Sequence, residues 1–411
     1  MHGPCLARAL HPKHGMRARL LLRGETPAPE PGPWWTSRHP LWAKGFRPFF
    51  ALAALAGAIA LPAWLAAWRG VLPVSSPLPP IAWHAHEMLF GYAAAVVAGF
   101  LLTAVSNWTK RPTAVGPALV GLAALWVVAR VAALVGPRGP ITTILATAFL
   151  VALAGAIARP LILARDRRNY GFVPLVLVLA AAQAAMLTRV TWIPWAQQVA
   201  LDAVVVLIVV VGGRVLPMFT GNRIGGRIVR RPRWERASTA AVTALLGVDL
   251  IGWTQAAPAI AAVGGIALLV RMSGWGSLRT GRVPMLWIVH LGYAWVGLGL
   301  LLRAAAGLDL VPSSVAVHAL TAGAIGAFTL GMMARVALGH TGRPIRAAAL
   351  TTAGFTAMAS AGALRVFGPW LAPGHGGWVE ASGVLFAVAL VGFLTVYAPL
   401  LTAPRRDGLA G

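Results

Sequence analysis

Twelve apolar runs, each long enough to cross a bilayer, alternate with short basic loops along this chain of 411 residues. They fall at about 46–68, 82–106, 114–136, 141–163, 170–190, 195–218, 237–255, 257–273, 284–305, 313–338, 346–367 and 379–402. About 20 apolar residues wound as a helix span the roughly 30 Å of hydrocarbon. Inside hydrocarbon the backbone has no water to bond, so each run must satisfy its own N–H and C=O groups. The expected fold class is therefore all-α: a polytopic membrane bundle of about twelve transmembrane helices. Composition agrees, with 58% hydrophobic and 11% charged residues, against roughly 25% charged in a soluble domain.

Loop charge orients the bundle. With the N-terminus in the cytoplasm, only six of the 35 Lys and Arg residues fall outside: Arg69, Arg130, Arg138, Arg189, Arg303 and Arg365. The inner side holds GNRIGGRIVRRPRWER (221–236), ARDRRN, LRTGR and the C-terminal PRRD. This is the positive-inside asymmetry, and a miscounted span would scramble it. Both termini are expected to be cytoplasmic. The formal charge of +25 then reports orientation, because no soluble basic domain carries it. Membrane lipid, and no nucleic acid, is the expected partner.

Three segments follow. Residues 1–40 read as a disordered or loosely ordered cytoplasmic tail, 41–404 as the membrane domain and 405–411 as a C-terminal tail. LARAL and RLLLR are too short and interrupted for a signal-peptide core. Trp42, Lys44 and Arg47 are expected to anchor the first helix at the interface. The one cysteine, Cys5, lies in the tail, so a disulfide framework and a thiolate metal cluster are both excluded. No solenoid-length repeat is visible, and the two halves share no matched broken helices of the transporter kind.

Ionisable groups inside a membrane segment are costly, and so mark function. Placing the ten histidines on the topology leaves five within or beside helices: His84, His86, His290, His318 and His340. His84, His86 and Glu87 open the second helix on its outer side, and His318 lies about 8 Å into the tenth from the same side. His290 lies about 9 Å in from the cytoplasmic side and His340 ends the tenth helix there. His84 and His86 point about 200° apart on an ideal helix, so they are not expected to share one ion. An imidazole suits iron, copper or zinc, and its second nitrogen needs a hydrogen-bond partner, for which Glu87 is placed. The bland alternative is that each histidine only bonds a neighbouring helix. Asp202 and Asp249 fall near the outer side, either paired with an arginine or on a proton route. Met332 and Met333 read as packing rather than as ligands.

Three stretches carry a resemblance: HAHEMLFGYAAAVVAGFLLTAVSNWTKRP (84–112), GRVLPMFTGNRI (213–224) and HALTAGAIGAFTLGMMARVALGHTGRP (318–344). With LWAKGFRPFF before them, they resemble the signature blocks of the NnrS family, in order and spacing, from about residue 40 to 400. The resemblance implies a bacterial inner-membrane protein containing haem and copper. It also implies a link to the nitric oxide response, nitrosative stress and denitrification, with nitric oxide as the small-molecule ligand. Within the matching blocks, His84, His86, His318 and His340 could ligate metal, with His290 between blocks; which would hold haem and which copper stays open. The outer layer (His84, His86, His318) is the expected cofactor site, and His290 with His340 a second one. A metal or haem transporter using the same histidines transiently is the alternative, and a purely structural membrane protein a third. No electron-donor site or quinone pocket can be read, so no turnover reaction is assigned.

Overall fold

The computed structural model describes residues 33, 36, 38–73, 76–372, 374 and 376–407. Residues 1–32, with Cys5 and most of the expected tail, lie outside these, as does His375. The protein is 81% helical, with no strand among the described residues. Twelve long helices follow one another: α1 Phe46–Trp68, α2 Pro80–Thr109, α3 Pro117–Val135, α4 Pro140–Leu163, α5 Phe172–Thr188, α6 Ile193–Ile224, α7 Pro232–Leu250, α8 Ala257–Ser273, α9 Pro284–Ala306, α10 Ser313–His340, α11 Ala349–Leu371 and α12 Gly377–Thr402. Ten of them are long and apolar enough to cross a membrane. The other two are α7, whose first turn is Pro-Arg-Trp-Glu-Arg, and α11, which is rich in Thr, Gly and Ser. The chain is a multi-pass helical membrane protein.

The many prolines serve helix starts. Pro80, Pro117, Pro140, Pro232 and Pro284 all open helices, where the missing N–H costs nothing and the fixed φ is already helical. The sequence places the α7 boundary at about 237, but Pro232 starts it earlier. Helix α6 likewise runs through Pro217 to Ile224 and takes in the start of the expected basic loop.

Burial separates an inner group from an outer ring. Along the apolar middle stretch of each spanning helix, about four-fifths of α2, α6 and α10 is buried within the protein, against two-fifths to a half for most others. Helix α9 sits between, at 72%. A helix apolar all round belongs at a centre, and these four supply it.

Two of the central helices share a construction that the sequence reading does not anticipate. In α2, an α-helical start ending at His86 passes into a seven-residue π-helical segment, Glu87–Ala93, before α geometry resumes. In α10 the start ends at His318 and the π segment is Ala319–Ile325. Each histidine stands the same number of residues before a Thr-x-Arg-Pro exit, at 109–112 and 341–344. π segments are rare and concentrate at functional sites. Helix α11 approaches the second of them closely: a Cβ on Gly362 would lie 3.0 Å from the Gly323 Cα.

Arg47 corrects an expectation. It is fully buried rather than interfacial, and donates to the carbonyls of Leu401 (2.8 Å) and Ala403 (2.7 Å). These are orphan acceptors at the end of α12, where a cation is favoured by the helix dipole. Lys44 reaches Asn107 at 3.1 Å, tying the same inner end to α2.

Candidate functional site

The outer ends of α1, α2, α10 and α11 meet at two histidines. His84 stacks on Trp64 of α1, ring centroids 4.2 Å apart and planes 23° apart, and Trp64 stacks in turn on Trp68. No hydrogen bond to the His84 ring is found among the described residues. On α10, His318 places Nδ1 2.6 Å from the Ser314 carbonyl. A carbonyl only accepts, so Nδ1 carries the proton and Nε2 keeps its lone pair. His318 and Arg365 both act electrostatically on His84, and Arg365 acts on His318. These three groups, from α2, α10 and α11, are thus near enough to act on one another. Arg365 has no ion-pair partner among the described residues, and the Trp64 Nε1 is buried without an acceptor.

His86 has different company. Its ring is buried, with Nδ1 2.9 Å from Glu87 Oε1 and Nε2 3.2 Å from the Gln183 side-chain amide of α5. Arg130 of α3 donates to the same Glu87 oxygen at 2.9 Å. Gly91, inside the π segment, leaves room for this pair: a Cβ there would meet Glu87 at 3.1 Å and Arg130 at 3.3 Å. Both His86 nitrogens are occupied, so it has no lone pair to offer a metal in this arrangement.

His290, on α9, bridges helices. Thr220 donates its hydroxyl to the Leu216 carbonyl at 2.9 Å, so it accepts from His290 Nε2–H at 2.8 Å. Ser277 then donates to Nδ1 at 2.9 Å. The ring is neutral and fully bonded. His290→Leu is expected to destabilise the protein by about 1–3 kcal/mol by removing a buried bridge between the Thr220 and Ser277 hydroxyls, read as a lower unfolding temperature with any bound haem retained. His340 packs on Phe46 of α1 (5.6 Å between centroids), with Lys44 and Arg405 close by. The two inner histidines thus meet different neighbours, and no contact joins them among the described residues.

Asp202 of α6 and Asp249 of α7 both meet Arg303 of α9. The Arg303–Asp202 contact is 2.7 Å, and the other Arg303 nitrogen bonds Asp249. Across all described residues, no three of His, Cys, Asp or Glu converge to hold a metal ion.

Sequence reasoning counted Arg130, Arg303 and Arg365 as outer-loop charges. All three lie within helices, and Arg130 and Arg303 bond buried carboxylates. Trp64 and Gln183 carried no signal, since their roles depend on which helix faces them.

Below both π segments, a wholly apolar cavity lies between α1, α2, α6 and α10, lined by Phe50, Val96, Phe100, Ile208, Phe328 and Met332 among others. A comparison with curated proteins finds no match. The family model described as NnrS protein matches residues 40–405, which covers all twelve helices, and the chain belongs to the NnrS family.

Proposed function

We propose that this protein is a haem-binding inner-membrane protein of bacteria that acts in the response to, or the metabolism of, nitric oxide. Family membership supports the link to nitric oxide. The observation that carries the haem reading is the outer pair: His84 and His318 come from separate helices near enough to act on each other, and neither ring is fully bonded. The donor chemistry fits. A haem iron takes neutral imidazole, and the Ser314 carbonyl holds His318 in the tautomer whose Nε2 is free, the orienting bond that ligating histidines usually make. Arg365 and the Trp64 N–H offer donors of the kind that a haem's carboxylates need. His84 and His318 would hold the group, and the iron would supply a site for nitric oxide where one of the two imidazoles gives way to it.

The chain's own residues do the rest. The Trp64–Trp68 stack fixes the His84 ring and shields it from water. Nitric oxide is small, neutral and soluble in lipid, so a site within the bundle needs no polar channel for it, and the apolar cavity below the π segments offers it dry space. Copper is the second metal implied by the family resemblance. With both nitrogens of His86 and His290 occupied and no three donors converging among the described residues, these residues do not fit a copper centre, and no role is derived for one.

Purified wild-type protein is expected to show a haem Soret band that shifts when nitric oxide is added. His84→Ala and His318→Ala should each lose most of the bound haem, whereas His340→Ala should keep it. Wild-type protein that is free of haem, yet drives metal-dependent uptake in proteoliposomes, would overturn the reading in favour of a transporter.

A further inference from the structure

Away from the histidines, the outer ends of α6, α7 and α9 bury a charge imbalance. Asp202 is 1% exposed and Asp249 is 5% exposed. Both face the one guanidinium of Arg303, and their carboxyl groups are within hydrogen-bonding reach of each other. Gln198, one turn before Asp202, donates to Asp202 Oδ1 at 3.1 Å. The other oxygen, Oδ2, is buried with no donor on it. Among the described residues, Arg303 and Asp249 are the only charged groups acting on Asp202, so two carboxylates would leave one net negative charge in a buried place. Two like charges a few ångströms apart in low dielectric repel by several kcal/mol, and such pairs hold a proton between them.

A route for that proton is present. A cavity of about 220 Å³ lies against Arg303 and Gln198 and is lined further by Thr254, in the α7–α8 loop, and Ser313, at the start of α10. Both are exposed residues at the outer helix ends. The space has room for several waters; its wall is mostly apolar, and Arg303 and Gln198, which both bond Asp202, are the polar groups through which it reaches the carboxyl pair.

We propose that Asp202 and Asp249 form a proton-binding site, sharing one proton beside Arg303 and exchanging it with the outer aqueous side through this cavity. Binding converts a carboxylate and a proton to a carboxylic acid, with no electron transfer. Loaded, the cluster is neutral: one guanidinium, one carboxylate and one acid. The site does not depend on the haem reading, and its neighbours include none of the five histidines.

Infrared difference spectroscopy of the full-length protein in lipid tests this. A protonated-carboxyl C=O stretch that moves in D₂O is expected at neutral pH. It should disappear completely in Asp202→Asn and in Asp249→Asn, and change frequency in Asp249→Glu, which keeps the acid. No such band in the wild type would overturn the proposal, as would a band that survives both Asn variants. Stoichiometric binding of sodium that removes the band would overturn it in favour of a cation site. If the Asn variants do not fold, the wild-type band and its shift in Asp249→Glu decide the matter.

Discussion

Arg130→Met is expected to lower stability by about 3–5 kcal/mol, the typical cost of leaving a buried ion without its partner. Glu87 is 7% exposed and His86 has no exposed surface, so neither has water to fall back on. Arg130 lies 2.9 Å from Glu87 and over the Trp126 ring, tying α3 to the π segment of α2. Removing the cation leaves Glu87 with the His86 ring alone. Adding Glu87→Gln should recover most of the loss, because replacing both charges also removes the stranded carboxylate. Thermal unfolding of the two single variants and the double variant in one detergent measures the coupling. An Arg130→Met protein that unfolds like the wild type would show that the pair holds nothing.

Gly292→Val should be among the most damaging of the small apolar changes. A Cβ at Gly292 in α9 would lie 2.4 Å from the Phe328 backbone nitrogen and 2.7 Å from its Cα. Those atoms belong to α10 itself, so no rotamer change relieves the clash and the two central helices must part. Overpacking of this kind costs typically 1–3 kcal/mol, and a backbone neighbour puts it at the top of that range. Gly247→Val on α7 is the control, since a Cβ there meets nothing within 4 Å. The expected result is a lower unfolding temperature and reduced yield for Gly292→Val, with Gly247→Val close to the wild type. Equal behaviour of the two variants would contradict the packing of α9 on α10.

Most of the fold can be read from the chain because a bilayer leaves so few alternatives. Twelve apolar runs become twelve helices in the same order, with most ends moved by only a few residues. The larger shifts have local causes: Pro232 can start a helix, and Pro217 does not stop one whose neighbours re-satisfy the freed groups. Arg47 was misplaced because sequence shows a basic residue near a helix end but not the α12 carbonyls that await it. Only a histidine and a Thr-x-Arg-Pro exit mark the likeness of α2 and α10; the residues between are mostly apolar and differ from one helix to the other. The π segments have no sequence signature at all.

The candidate site was half visible. Topology put His84, His86 and His318 in one outer layer, but depth along a helix says nothing about azimuth. The structure turns His84 towards Trp64 of α1, and His86 towards Gln183 of α5 and the Glu87–Arg130 pair. Likewise, Asp202 and Asp249 could each be guessed to meet an arginine. That both meet Arg303, leaving one oxygen without a donor, depends on three helices coming together.

The central claim is that His84 and His318 together hold haem. Low-temperature electron paramagnetic resonance of the purified ferric protein tests it most directly, because the signal reports the axial ligands themselves. Imidazole ligation in the wild type, altered or lost in His84→Ala and in His318→Ala and kept in His340→Ala, is the predicted result. A haem signal unchanged in both His84→Ala and His318→Ala would contradict the account.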